Sequence, residues 1–200
     1  MTEWEKAQNG YLYDANYDNE IVEARTRCAD LCYDFNNCRP SDTVKQQELL
    51  KRIIGSMEGE PVITAPFHCD YGVNISIGKN FYTNYNVTIL DCAKVTFGDN
   101  VFIAPNCVFS TAGHAIDSEQ RNRGLEIALP ITVGDSVWIG TNVSVLPGVT
   151  IGSNTIIGAG SVVNKDIPDG VIAAGNPCKV IRKITEADKK KYPVFEEKNC

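Results

Sequence analysis

From about residue 60 onward, aliphatic and aromatic residues return at every sixth position. One set runs Ile77, Ile89, Phe97, Ile103, Phe109; a second runs Val133, Ile139, Val145, Ile151, Ile157, Val163 without a miss. Two positions before each comes a companion series: Ile75, Phe81, Val87, Val95, Val101, Cys107, then Ile131, Val137, Val143, Val149, Thr155 and Ser161. Residues i and i−2 share one face of a strand, because strand side chains alternate. One position after the repeat stands a small residue or Asn in most hexads, such as Gly78, Asn84, Gly98, Ala104, Gly134, Gly140, Gly152, Gly158 and Asn164. These are residue types for which left-handed backbone is cheap, so this slot is expected to turn a corner. A short strand and a corner every six residues close a triangular coil in eighteen, and coils stack at about 4.8 Å. The two sets hold twelve hexads, about four coils. The expected fold is mainly β, a parallel β-helix. An antiparallel sandwich would need variable turns in place of an unbroken hexad.

Four exceptions break the pattern: Thr83 in the core slot, Leu90 and Leu146 in the small slot, and a two-residue insertion near Ala93-Lys94. A longer interruption, residues 111–130 (TAGHAIDSEQRNRGLEIALP), is polar, and long loops in a tight repeat usually carry function. The chain is expected to divide into a helical segment at 1–58, the coil at 59–184 with its loop at 111–130, and a tail at 185–200. In the first part Ile21, Ala24, Cys28, Leu31, Cys32 and Phe35 fall at helical spacing, and Ser41 or Asp42 can cap a second helix.

The formal charge of −6 over 200 residues argues against nucleic acid or an anionic membrane as the main partner. No apolar run reaches membrane-helix length, and the polar N-terminus shows no secretory signal, so a cytoplasmic location is expected. Eight cysteines are too sparse for a disulfide scaffold, and no CxxC occurs. Cys28 and Cys32, four apart on the apolar helix face, read as small buried hydrophobes rather than as metal or redox groups.

His114 is one of only two histidines and sits in the long loop, a natural place for a general base. Two histidines are too few for a three-His zinc site. Asn84 follows Thr83; it either donates to developing negative charge or simply turns a corner. Asp91 follows the outlier Leu90, where a carboxylate either holds sugar hydroxyls, orients a base or is solvated. Trp138 lies between two inward residues and must face outward, to meet a ligand or another subunit. Lys165, Lys179, Arg182 and Lys183 make a basic patch suited to a phosphate-bearing cofactor.

NGYLYDAN, PFHCDYGVNISIGKNFYTNYNVTILD, FGDNVFIAPNCVFSTAGHAID, ITVGDSVWIGTNVSVLPGVTIG and IPDGVIAAGNPCKVIRKI together resemble the hexapeptide-repeat sugar O-acetyltransferases of the maltose and galactoside type. The resemblance spans roughly residues 5–185. It implies a left-handed coil, a homotrimer with sites between subunits, and acetyl-CoA as co-substrate with no metal required. It implies His114 as base and Asn84 as stabiliser. It implies cofactor contacts at Trp138, Thr141, Ala159, Asn164, Lys165, Lys179 and Arg182. An acceptor pocket is implied at Asp14, Asn16, Asp70, Tyr82, Asp91 and Cys92, where Cys92 replaces the second member of an Asp-Asp pair. The implied reaction is direct transfer to a sugar or glycoside hydroxyl, with a backbone N–H near Thr141 assisting Asn84. Rivals are a xenobiotic or oligosaccharide O-acetyltransferase of the same fold, and a non-catalytic β-helix that binds ligands.

Overall fold

The computed structural model describes residues 1–193. Its coil has three faces of parallel strands. The first face stacks Ser56–Met57, Ile75–Ile77, Val95–Phe97, Ile131–Val133 and Thr150–Ile151. The second stacks Val62–Ile63, Tyr82–Thr83, Phe102–Ile103, Trp138–Ile139, Ile156–Ile157 and Val171–Ala174. The third stacks Phe67–Cys69, Val87–Leu90, Val108–Ser110, Ser144–Val145 and Val162–Val163. Register is in phase from coil to coil, for example Ile77 opposite Phe97 and Phe97 opposite Val133. Both hydrophobic series point inward and form one continuous core.

The count of about four coils is too low: five are complete and Val171–Ala174 begins a sixth. The missed coil, Ser56–Cys69, keeps the hexad through Met57, Ile63 and Cys69. Two extra residues before Ile77 shift its phase, which hides it from a search that starts at Ile77.

The corner reading also needs correction. Left-handed backbone falls three positions after the core residue, at Asn80, Asn86, Asn100, Asn106, Ser136, Asn142 and Asn154, not one position after it. The glycines one position after are there for space. A Cβ on Gly78 would lie 2.6 Å from Gly98 of the next coil, and those on Gly98 and Gly134 would meet Asp135 and Ser153. Coils at strand spacing leave no room for a side chain at that point. The adjoining residues stitch the corner: Lys79 N–H donates to Asp99, Asp99 N–H to Asp135, Asp135 N–H to Ser153 and Ser153 N–H to Asp169.

Three helices precede the coil: α1 (Glu3–Gln8), α2 (Asn19–Asn36) and α3 (Thr43–Ile53). Side chains of Thr2, Asp18 and Asp42 cap them. The stripe Ile21, Cys28, Cys32 and Phe35 is buried, and α2 packs on Phe67–Cys69, closing the open end of the first coil. Without it the Phe67–Cys69 strand would be open to water. At the far end, Lys179–Lys183 turns back antiparallel on Val171–Ala174 and ends the stack. Glu186–Lys190 follows as an exposed 3-10 helix. Residues 194–200 of the expected tail lie outside the described residues. Among the described residues no helix is long and apolar enough to cross a membrane.

Candidate active site

The hexad slips phase at a single corner, where the third face hands over to the first. Extra residues enter there after Cys69, after Leu90 and, as the long loop, after Ser110. These insertions build a cleft of about 270 Å³ lined by Arg25, Asp70, Leu90, Cys92, Ser110, Gly113, His114 and Glu126. The loop is not irregular. Ala112–His114 pairs with Leu125–Ala128 as a hairpin around a short helix, α4 (Ser118–Asn122), and Tyr13–Asp14 adds a third strand.

That pairing sets His114 opposite Glu126. The His114 Nδ1 lies 3.9 Å from Glu126 Oε1, and the imidazole side chain is 58% exposed. Tyr13 Oη donates to the other Glu126 oxygen at 3.1 Å, which fixes the carboxylate. The unit therefore has the form of a base on the cleft wall with one ring nitrogen facing an acid. Across the cleft Cys92 Sγ donates to Asp70 Oδ2 at 3.4 Å. Burial pushes the Asp70 carboxyl up, against the pull of the Cys92 thiol and the Arg25 charge. Burial also raises the Cys92 thiol, so it is a neutral donor here.

Asp91 does not belong to this pocket. It is fully buried. Its Oδ1 accepts from the Asp70 and Tyr71 backbone N–H groups at 3.1 and 2.8 Å, and Oδ2 from that of Asn74 at 3.2 Å. It ties down the first phase slip and offers nothing to an acceptor. Asp14 and Asn16 also serve local structure: Asp14 Oδ1 accepts from the Asn16 and Tyr17 N–H groups, and the Asn16 amide donates to Gly124 O at 3.0 Å. Sequence reasoning missed Glu126, Tyr13 and Arg25. Only the hairpin register and the capping helix bring them to His114.

The remaining candidates divide between two corners. Asn164 and Lys165 stand at the His114 corner, above the loop. Asn84, Thr141 and Ala159 stand at the opposite corner, where the second face hands over to the third. The Asn84 Oδ1 is taken by the Tyr85 N–H at 2.8 Å, which leaves its amide N–H group as donor. Six residues of strand and turn separate Asn84 from Leu90 at the cleft, roughly 15–20 Å. Within one chain Asn84 therefore cannot share a reacting atom with His114. Nor can it share one with the Thr141 backbone, two coils higher and about 10 Å away. Thr141 Oγ1 donates to Pro105 O at 2.9 Å.

Ala159 is one coil above Thr141, and the column leads on to the terminal hairpin with Lys179 and Arg182. The patch there is less basic than its composition suggests, because Asp188 receives Arg182 bidentately at 2.8 and 2.6 Å. The Arg182 charge holds Asp188 well below the ordinary carboxylate range. Trp138 faces outward, 54% exposed, in a ladder on the second face with Val62, Tyr82, Phe102, Ile156 and Ile172. Tyr82 is thus part of an apolar outer wall.

A six-residue coil with a His-bearing loop at one corner defines a hexapeptide-repeat transferase. Residues 6–59 match the maltose acetyltransferase hexapeptide capping motif, and residues 130–165 match the bacterial transferase hexapeptide of six repeats. A putative acetyltransferase of Saccharomyces cerevisiae is 55% identical over 179 residues, 90% of this chain and 91% of that one. A maltose O-acetyltransferase from Clostridium difficile superposes with a TM-score of 0.91 at 46% identity, over 93% of this chain and 99% of the other. A galactoside acetyltransferase in complex with coenzyme A gives a TM-score of 0.91 at 44% identity, over 98% and 97%. The chain belongs to the maltose and galactoside O-acetyltransferase family of hexapeptide-repeat enzymes.

Proposed function

We infer that the protein is a homotrimeric O-acetyltransferase that moves the acetyl group of acetyl-CoA to a hydroxyl of a sugar or glycoside. The observation that carries this reading is the His114–Glu126–Tyr13 unit at the mouth of a polar cleft. His114 Nε2 removes the acceptor proton while the Glu126 carboxylate, 3.9 Å from Nδ1, stabilises the imidazolium that forms. The acceptor oxygen attacks the thioester carbonyl, giving a tetrahedral oxyanion. The C–S bond then breaks, and His114 returns its proton to the CoA thiolate. Asp70, its thiol partner Cys92 and Arg25 supply acceptor hydrogen bonds in a part-buried setting suited to sugar hydroxyls.

The cofactor side comes from a neighbouring copy. Asn84 lies in the column of Ala104, Gly140 and Gly158, beside the column of Thr141 and Ala159, and Lys179 and Arg182 lie at the upper end, about 20 Å from Asn84. That length and polarity suit an extended thioester with phosphates at its far end. Lys165 and Asn164 flank the same groove from the His114 side. Asn84 donates to the oxyanion, where one good donor is worth about 3–4 kcal/mol. The apolar ladder Val62, Tyr82, Phe102 and Trp138 gives each chain a wall to bury against another, consistent with trimerisation. Thiol release from acetyl-CoA, measured with maltose, glucose, isopropyl thiogalactoside and a chloramphenicol-type alcohol, tests the acceptor. Turnover with the alcohol alone would replace the sugar reading by a xenobiotic one.

A further inference from the structure

Away from the cleft, three cysteine sulfurs converge where α2 caps the first coil. Cys28 and Cys32, one helical turn apart on α2, meet Cys69 of the strand Phe67–Cys69. The Cys28 and Cys32 sulfurs lie 3.5 and 3.7 Å from Cys69 Sγ, and all three sit within 4.8 Å of one another. Metal–thiolate bonds of about 2.3 Å at tetrahedral angles place sulfurs about 3.8 Å apart, so these three positions already span a coordination face. All three are buried, so the face is dry apart from one approach. A cleft of about 390 Å³ reaches Cys28 between α2 and the Tyr71 turn, with Glu20, Glu23, Arg27 and Arg52 on its walls.

We propose that Cys28, Cys32 and Cys69 form a binding site for one thiophilic closed-shell cation, distinct from the acetyl-transfer site. Three sulfur ligands from two elements favour a soft ion over magnesium or calcium. Binding forms three metal–sulfur bonds, and the thiol protons leave to solvent. Zinc(II) on three thiolates leaves one net negative charge in an apolar setting, whereas copper(I) leaves two. Burial of charge therefore favours zinc, with its fourth position open toward the 390 Å³ cleft. Such an ion would staple α2, which carries Arg25, to the strand that leads into Asp70.

The test uses the full chain, reduced and stripped of metal under anaerobic conditions. It is titrated with zinc(II) against a chromophoric chelator and, separately, with copper(I) against a copper(I)-selective chelator. The expected result is one zinc retained per chain, with a rise in Tm. Cys32→Ser and Cys69→Ala are expected to weaken retention by about tenfold or more, while Cys178→Ser leaves it unchanged. Retention of copper(I) alone supports the site and assigns it to the monovalent ion. A second readout needs no variant. In the wild-type chain the bound ion should shield Cys28, Cys32 and Cys69 from alkylation, read by mass spectrometry, and leave Cys107 and Cys178 as reactive as before. Retention of neither ion, or shielding spread equally over all these cysteines, overturns the proposal.

Discussion

Two corners of the same coil solve different problems. The corner between the second and third faces keeps its six-residue step on every coil, and its residues stack in straight columns, Asn84 below Ala104, Gly140 and Gly158, and Pro105 below Thr141 and Ala159. The corner between the third and first faces gains extra residues three times, is shortened once between Val163 and Ile167, and gains a cleft, a hairpin and a docked N-terminal strand. Regular repetition yields a uniform wall of small residues, on which the proposed function lays the long co-substrate. Broken repetition yields a concave, chemically varied pocket. Neither corner holds a complete catalytic set, which is the physical reason to expect the site to form between chains.

The sharpest way to break this division is to mutate both sides. His114→Ala is expected to lower turnover at least about 10²-fold while eluting on gel filtration as the wild type does. Asn84→Ala should cost about 10²-fold in kcat with little change in acceptor KM. A rise in KM alone would move Asn84 to acceptor binding. Refolding the two inactive variants together should restore about a quarter of wild-type turnover, since a composite site draws one residue from each neighbour. Absence of any recovery would return both residues to one chain.

Smaller effects sharpen the picture of each corner. Glu126→Gln should lower kcat about tenfold and alter the pH profile of kcat, because His114 loses its acidic neighbour. A stability loss with an unchanged profile would make Glu126 merely structural. Lys165→Ala should weaken acetyl-CoA binding about fivefold by calorimetry, as one partly solvated charge contact is worth about 1 kcal/mol.

Asp91 gives the pH test of the broken corner. Burial raises its carboxyl from 3.8 to about 6, against the pull of the backbone N–H groups. The folded state therefore holds the proton more tightly than the unfolded chain. The resulting stabilisation is fully present below 3.8 and is lost as pH rises through about 6. Urea unfolding between pH 4 and 7 should show wild type losing ground to Asp91→Asn as pH rises. The variant itself is expected to be less stable by about 1–3 kcal/mol at pH 4, because one amide group cannot accept all three N–H bonds. A pH-independent difference would remove the titration argument.

Much of the fold was legible because the hexad repeats a physical constraint: each inward residue must meet the one below it. Trp138 was legible as outward for the same reason. The site was legible only in outline. His114 stood out through scarcity and loop position, but Asp91 was misassigned because nothing local says that its carboxylate turns inward to three backbone N–H groups. The phase slips after Cys69, Leu90 and Ser110 were the available signal: three on one corner mark the place where the wall stops being uniform.

Sequence by itself determined the coil, its core, the capping helices and the position of His114 in the long loop, because periodicity and local capping act over a few residues. Tertiary structure decided which glycines serve close approach and which asparagines serve left-handed turns, since both depend on the coil above. It decided that Glu126, Tyr13 and Arg25 face the His114 cleft, although up to about a hundred residues of chain separate them from it. It also set Asn84 and His114 on opposite corners. No spacing along the chain carries that information, because which corner a residue reaches depends on every insertion before it.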